Sequence, residues 1–249
     1  MTSLTRAGPA LRSPAGSRTR SLADALADPR VRLGIGTAVL LVTATATAVH
    51  RDRVGRCEAA AFRAVNDLPG SLYPPAWAVM QLGALGAAPA AAGAAWLAGD
   101  GDLAGRLLAG GAGAWALSKV VKRVVRRPRP AALLPGTHVR GPEAAGLGYL
   151  SGHAGVAVAL GAAALPRLGK AGRAVTLCTV PVVGLTRIYV GAHLPLDVAG
   201  GAALGLVVDA AVRLRPRRQG PARGKAGVVS KVTDTKAAGH VGQRARQGP

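Results

Sequence analysis

The 249-residue chain combines 49% apolar residues with a formal net charge of +21 and only 3% aromatic residues, which disfavours a water-soluble core of the usual aromatic-rich kind. Nucleic-acid binding is disfavoured as well, because the aromatics are not interleaved with the basic residues and no finger, basic zipper or RNA-binding signature occurs. Charge in tails and loops with apolar residues in long runs is the distribution of a membrane protein whose basic parts contact anionic headgroups.

Residues 1–30, rich in Ser, Thr, Pro, Ala and Arg without an apolar period, read as a disordered basic tail. A first span follows over about 33–49, flanked by Arg30, Arg32, Arg51 and Arg53. Its Ala46-Thr47-Ala48 also fits a signal-peptide cleavage site; an uncut span is the preferred reading. The polar stretch 51–73 carries a short amphipathic helix that Pro74-Pro75 is expected to break. Further spans are expected over about 76–98, 103–121, 153–167, 174–190 and 196–212, with a long polar loop from Lys122 to Tyr149. From Arg213 the chain is basic and Gly-rich and reads as a second disordered tail.

The expected fold is therefore all-α: a polytopic membrane bundle of about six transmembrane helices at residues 31–213, between basic tails at 1–30 and 214–249. The many Ala and Gly residues suit close helix approach. Lys and Arg in both tails and in the Arg167–Arg173 turn place that side in the cytoplasm. One basic run breaks the rule, Lys119 to Arg129 at the outer end of the third span, and an expensive cluster there invites a functional reading. Cys57 and Cys178 sit in unlike settings, so no disulfide is expected between them, and no Cys/His spacing marks a zinc site.

Three segments reach that outer face. Lys122-x6-Arg129-Pro130 offers a point charge and a planar fork suited to phosphate, although such a segment alone is more often a solvated charge run. Ser151-Gly152-His153 opens a helix whose free amides favour an anion, or simply caps it. Thr186-Arg187-x5-His193-x3-Asp197 places a carboxylate within reach of an imidazole, fixing its tautomer and leaving one ring nitrogen free to attack, unless both merely cap a helix. His50, His138 and His240 read as structural or solvated.

Together the three segments resemble the signature of the type 2 phosphatidic acid phosphatase family, which shares its site with vanadium-dependent haloperoxidases. The match spans about residues 119–201, including Val198-Ala199-Gly200-Gly201. The resemblance implies a lipid phosphatase in which His193 is the nucleophile, Asp197 orients it and His153 protonates the leaving oxygen. Lys122, Arg129, Ser151, Gly152 and Arg187 would bind the phosphoryl oxygens. Two positions depart from the family pattern: Leu150 stands where Pro is usual, and Thr186 where Ser is usual.

No metal and no other cofactor is expected. The chemical rival is a metal-dependent hydrolase using His153, His193 and Asp197 as a facial triad, and the non-enzymatic rival is a lipid-binding or transport-associated membrane protein. The expected partners are a lipid-phosphate substrate and membrane lipids, with no nucleic acid. The expected location is a bacterial cell membrane, with the site on the extracytoplasmic face and both termini cytoplasmic.

Overall fold

The computed structural model describes residues 29–49, 53–142 and 145–214. Apart from helix ends at 29–30 and 214, the two basic tails lie outside the described residues, as do His50 and His240. Among the described residues every regular element is helical. The longer helices, in chain order, are α1 (Pro29–Val49), α2 (Arg56–Asn66), α3 (Tyr73–Met80), α4 (Ala87–Leu97), α5 (Gly101–Val125), α6 (Gly152–Ala164), α7 (Lys170–Tyr189) and α8 (Pro195–Leu214).

Local chemistry sets most boundaries. Pro74 and Pro75 start α3 rather than ending α2, because proline is tolerated in a first turn where no intrahelical N–H bond is needed. The Asp100 side chain accepts the Leu103 N–H at 2.9 Å and caps α5, and Pro195 opens α8. α5 runs a turn past the expected end of the third span and stops at Arg126, whose φ of 55° is left-handed. That reversal carries Arg127 inward while Arg126 stays exposed.

The expected second span is interrupted. A 3-10 turn at Gln81–Gly83 separates α3 from α4, and the two halves are bent by 66°. Among the described residues, only α8 is both long and apolar enough by itself to cross a bilayer, and the bent pair would be a second crossing if it acts as one span. α5 is about 37 Å long at ~1.5 Å per residue, yet its Lys, Arg and Asp residues dilute its hydropathy.

α8 lies at the centre, packed on α1, α5 and α6, while α5 also contacts α4 and α6, and α7 contacts α2, α3 and α6. The core is built largely of alanine, Ala88, Ala114, Ala159 and Ala203 being fully enclosed. Many large apolar residues nevertheless face outward, among them all three tryptophans, Trp77, Trp96 and Trp115. This inversion of the soluble pattern suits surroundings as apolar as the interior.

Glycine is what lets α6 and α8 approach. A Cβ at Gly201 would lie 2.2 Å from the Ser151 carbonyl oxygen, and one at Gly205 would lie 2.5 Å from that of Gly155. Gly201→Ala is therefore expected to push the Ser151–His153 turn off α8, costing about 1–3 kcal/mol by overpacking and most of any activity. Thermal unfolding in detergent beside an activity assay checks this; a variant with wild-type values in both would show that the two helices separate freely.

Asn66, at the end of α2, ties three segments together. Its side-chain N–H groups donate to the carbonyls of His138, Ile188 and Tyr189, and its oxygen accepts the His138 N–H at 2.8 Å. Arg140 lies over the Tyr189 ring at 4.2 Å and donates to the carbonyls of Asn66, Leu68 and Tyr189. His138 and Arg140 thereby pin their part of the loop after α5 across the ends of α2 and α7. At the other end of the bundle, Arg167 pairs with Asp100 and Asp102.

Candidate active site

The site is assembled where α5 and α7 end and α6 and α8 begin. Lys122, in the last turn of α5, donates to the carbonyls of Leu147 and Gly148 at 2.9 and 2.8 Å. Arg129 donates through Nε to Gly146 at 3.0 Å, through Nη2 to Ala145 at 2.8 Å and through Nη1 to Ala192 at 2.7 Å. The two cations thus shape the 145–148 loop. A guanidinium has five N–H donors and an ammonium three, so donors remain on both for an anion.

Ser151 caps α6, its hydroxyl accepting the Ala154 N–H at 3.4 Å, and its own N–H donates to the Asp197 carbonyl at 2.8 Å. Gly152 packs over the Ser118 hydroxyl; a Cβ there would lie 3.0 Å from it. These contacts set His153 at the head of α6, within electrostatic reach of Lys122, Arg129, Arg187 and His193. Thr186 keeps its hydroxyl on the Val183 carbonyl, and Leu150 is fully buried. Arg187, buried near the end of α7, has a terminal nitrogen against the Met80 sulfur, and its Nε has no hydrogen-bond partner. Its carbonyl accepts the N–H groups of Ala192 and His193, both at 3.1 Å, which curls the chain back and brings His193 beside it. A cavity of about 220 Å³ opens above Arg129 and Arg187, bordered by Tyr73, Trp77, Met80 and Ala192.

His193 and Asp197 face each other, with Nδ1 3.7 Å from Oδ2. That is beyond hydrogen-bond length, and Nδ1 has no partner. Asp197 is instead held by two other donors, Arg127 Nη1 to Oδ1 and the Leu194 N–H to Oδ2, both at 2.8 Å. Arg127 in turn grips Glu58 of α2 with two bonds of 3.0 and 2.7 Å. Burial works against the Arg127 charge, but Glu58 and Asp197 more than offset it and hold the guanidinium above its ordinary range. Motif spacing missed Glu58 and Arg127: one is a lone acid on an amphipathic helix, the other one arginine of a run. The available signal was an acidic residue in a strongly basic chain.

His193, in the loop between α7 and α8, is pushed down to about 4, chiefly by burial, with Lys122 and Arg187 acting in the same direction and Asp197 in the opposite one. The ring is neutral at pH 7, as a nucleophile must be. In the unfolded chain its proton is taken up near ~6.5, so between these values the unfolded state holds more protons. Stability is expected to fall as pH drops through that window and, for this group, to be flat above it. Denaturant unfolding at pH 7 and pH 5 should show wild type losing about 2 kcal/mol more than His193→Gln; equal losses would place the titration elsewhere.

His153, His193 and Asp197 do not form a metal triad: among the described residues no three His, Cys, Asp or Glu side chains gather as a metal-binding group. The His138 side chain is exposed, with Nε2 3.7 Å from Asp67.

Residues 103–220 match the model of the PAP2 superfamily. The chain is 39% identical over 108 residues to decaprenylphosphoryl-5-phosphoribose phosphatase of two Mycobacterium tuberculosis strains, a match covering 42% of this chain and 58% of theirs. It therefore spans just over half the length of these curated relatives. Among solved structures it resembles a transmembrane PAP2-type phosphatidylglycerolphosphate phosphatase from Bacillus subtilis, with a TM-score of 0.56 and 21% identity over 72% of this chain and 94% of that one. LpxE of Aquifex aeolicus gives a TM-score of 0.47 and 21% identity over 62% and 93%.

Proposed function

We propose that the chain, whose residues 103–220 match the model of the PAP2 superfamily, is a membrane-embedded phosphatase acting through a phosphohistidine. The observation that carries the reading is the gathering, at one end of the helices, of a buried neutral imidazole, a second imidazole and three cations. Residues that could dispose of a phosphate's charge surround a group able to attack it.

In this reading Lys122, Arg129, Arg187 and the amides at the head of α6 hold the phosphoryl oxygens and stabilise their charge as the group becomes planar. Nδ1 of His193 faces Asp197, so Nε2 attacks phosphorus as the bond to the leaving oxygen breaks. His153 gives that oxygen a proton, then takes one from the water that cleaves the phosphorus–nitrogen bond. Phosphate leaves and both imidazoles return to their starting state.

The substrate class is a phosphate monoester or diphosphate on a lipid. The outward tryptophans and leucines fit a lipid-facing surface, and the Mycobacterium relatives act on a polyprenyl-linked sugar phosphate by name. A polyprenyl-linked sugar phosphate therefore leads the candidates, ahead of isoprenoid diphosphate, phosphatidate and phosphatidylglycerol phosphate. About six spans, an extracytoplasmic site and cytoplasmic termini belong to the same proposal, as do basic tails against anionic headgroups.

Purified protein in detergent, assayed against that panel with EDTA, is the test. Phosphate release is expected to persist at wild-type rate under chelation, with acid-labile phosphate trapped on the protein during turnover. Activity lost to EDTA and restored by added metal would favour the metal-dependent mechanism.

A further inference from the structure

The buried groups behind His193 form a chain of four: Glu58 on α2, Arg127 after α5, Asp197 on α8 and His193 itself. Arg127, Asp197 and His193 are almost wholly enclosed, and the Glu58 side chain is 8% exposed. Arg127 forks both carboxylates, and Glu58 Oε1 also accepts the Leu196 N–H at 3.1 Å, next to the turn that carries Asp197.

Charge makes Glu58 more than a brace. An arginine bonded directly to the aspartate of a His–Asp pair cancels the negative charge that a positive imidazole needs. Lys122 from α5 and Arg187 from α7 also face His193 and oppose its positive form, while His153 faces it from α6. Asp197 and Arg127 alone would give the ring a neutral pair in a cationic pocket. With Glu58 the three groups sum to one negative charge, matched when His193 becomes positive on phosphorylation.

We propose that Glu58 is a positioning residue for the phosphoryl-transfer step, neutralising Arg127 so that the negative charge of Asp197 is available to His193. The proposal rests on the phosphohistidine reading above. The conformational role follows from the same bonds: with Oδ1 held by Arg127 and the Leu194 N–H on Oδ2, the carboxylate presents one oxygen to Nδ1, and a small closure from 3.7 Å completes the hydrogen bond.

The test uses the full-length protein in detergent and the best lipid phosphate of the panel. Glu58→Gln keeps shape and much of the hydrogen bonding but removes the charge. It is expected to lower kcat by about 10–100-fold with KM little changed. It should also move the acid limb of the kcat profile down by about one pH unit, because a less negative surround lets His193 stay neutral in more acid solution. Glu58→Asp should keep the wild-type acid limb whatever its rate. The double variant Glu58→Gln/Arg127→Gln restores one net negative charge and should return the acid limb toward its wild-type position, whatever its rate. An unmoved acid limb in Glu58→Gln, or one that stays displaced in the double variant, overturns the proposal. Wild-type protein that releases no phosphate and traps none overturns the phosphatase reading instead.

Discussion

His193→Ala is expected to lower phosphate release by about 10⁴-fold or more, the scale on which removing a covalent nucleophile usually acts. Expression, membrane insertion and thermal unfolding should stay close to wild type, because Asp197 keeps its bonds to Arg127 and the Leu194 N–H without the ring. The acid-labile phosphate formed during turnover should vanish with the activity. His153→Ala supplies the contrast. Losing a general acid costs about 10²–10⁴-fold, and the loss should shrink for a phosphate ester whose leaving group needs no proton, such as a nitrophenolate. Rapid hydrolysis by His193→Ala would remove the nucleophile from the mechanism altogether.

Arg127→Leu carries the largest expected effect on stability. It strands Glu58 and Asp197 as unpaired buried carboxylates, and breaking a buried ion pair from one side typically costs about 3–5 kcal/mol. Exposed Arg126 next to it is a fair control: replacing it with glycine removes a side chain from a left-handed position and should leave stability unchanged or slightly raised. Thermal unfolding of the two variants in one detergent reads the difference directly. If both unfold with the wild type, the buried network contributes nothing and α2 is held by Asn66 and the packing of Phe62 against Ile188 and Leu194.

The charged and imidazole groups of the three segments are legible along the chain because the chemistry fixes residue type at short spacing. Lys122 and Arg129 sit seven apart, across a helix end and the turn after it. His193 and Asp197 sit four apart, across the start of α8. Glu58 is different: it lies 69 residues from Arg127 and 139 from Asp197, so no local pattern links them. The break in the second expected span was also hidden, because the run from Ala76 to Ala98 is apolar apart from Gln81, too little polarity to interrupt a span read by hydropathy. Hydropathy measures how much of a segment avoids water and is blind to a 3-10 turn packed beside the His153 carbonyl.

The sequence by itself determined the all-helical class, most helix positions and the inventory of charged and imidazole groups at the site. Apolar period, capping residues and short-range motifs are local quantities, set by neighbours in the chain. The tertiary structure decided how those groups are held. It gave Asp197 to Arg127 and the Leu194 amide, left His193 neutral by enclosing it, and recruited Glu58 from a distant amphipathic helix. Burial and charge balance depend on which segments meet, and for these helices the meeting is set by glycines such as Gly201 and Gly205, whose missing side chains let α6 and α8 touch.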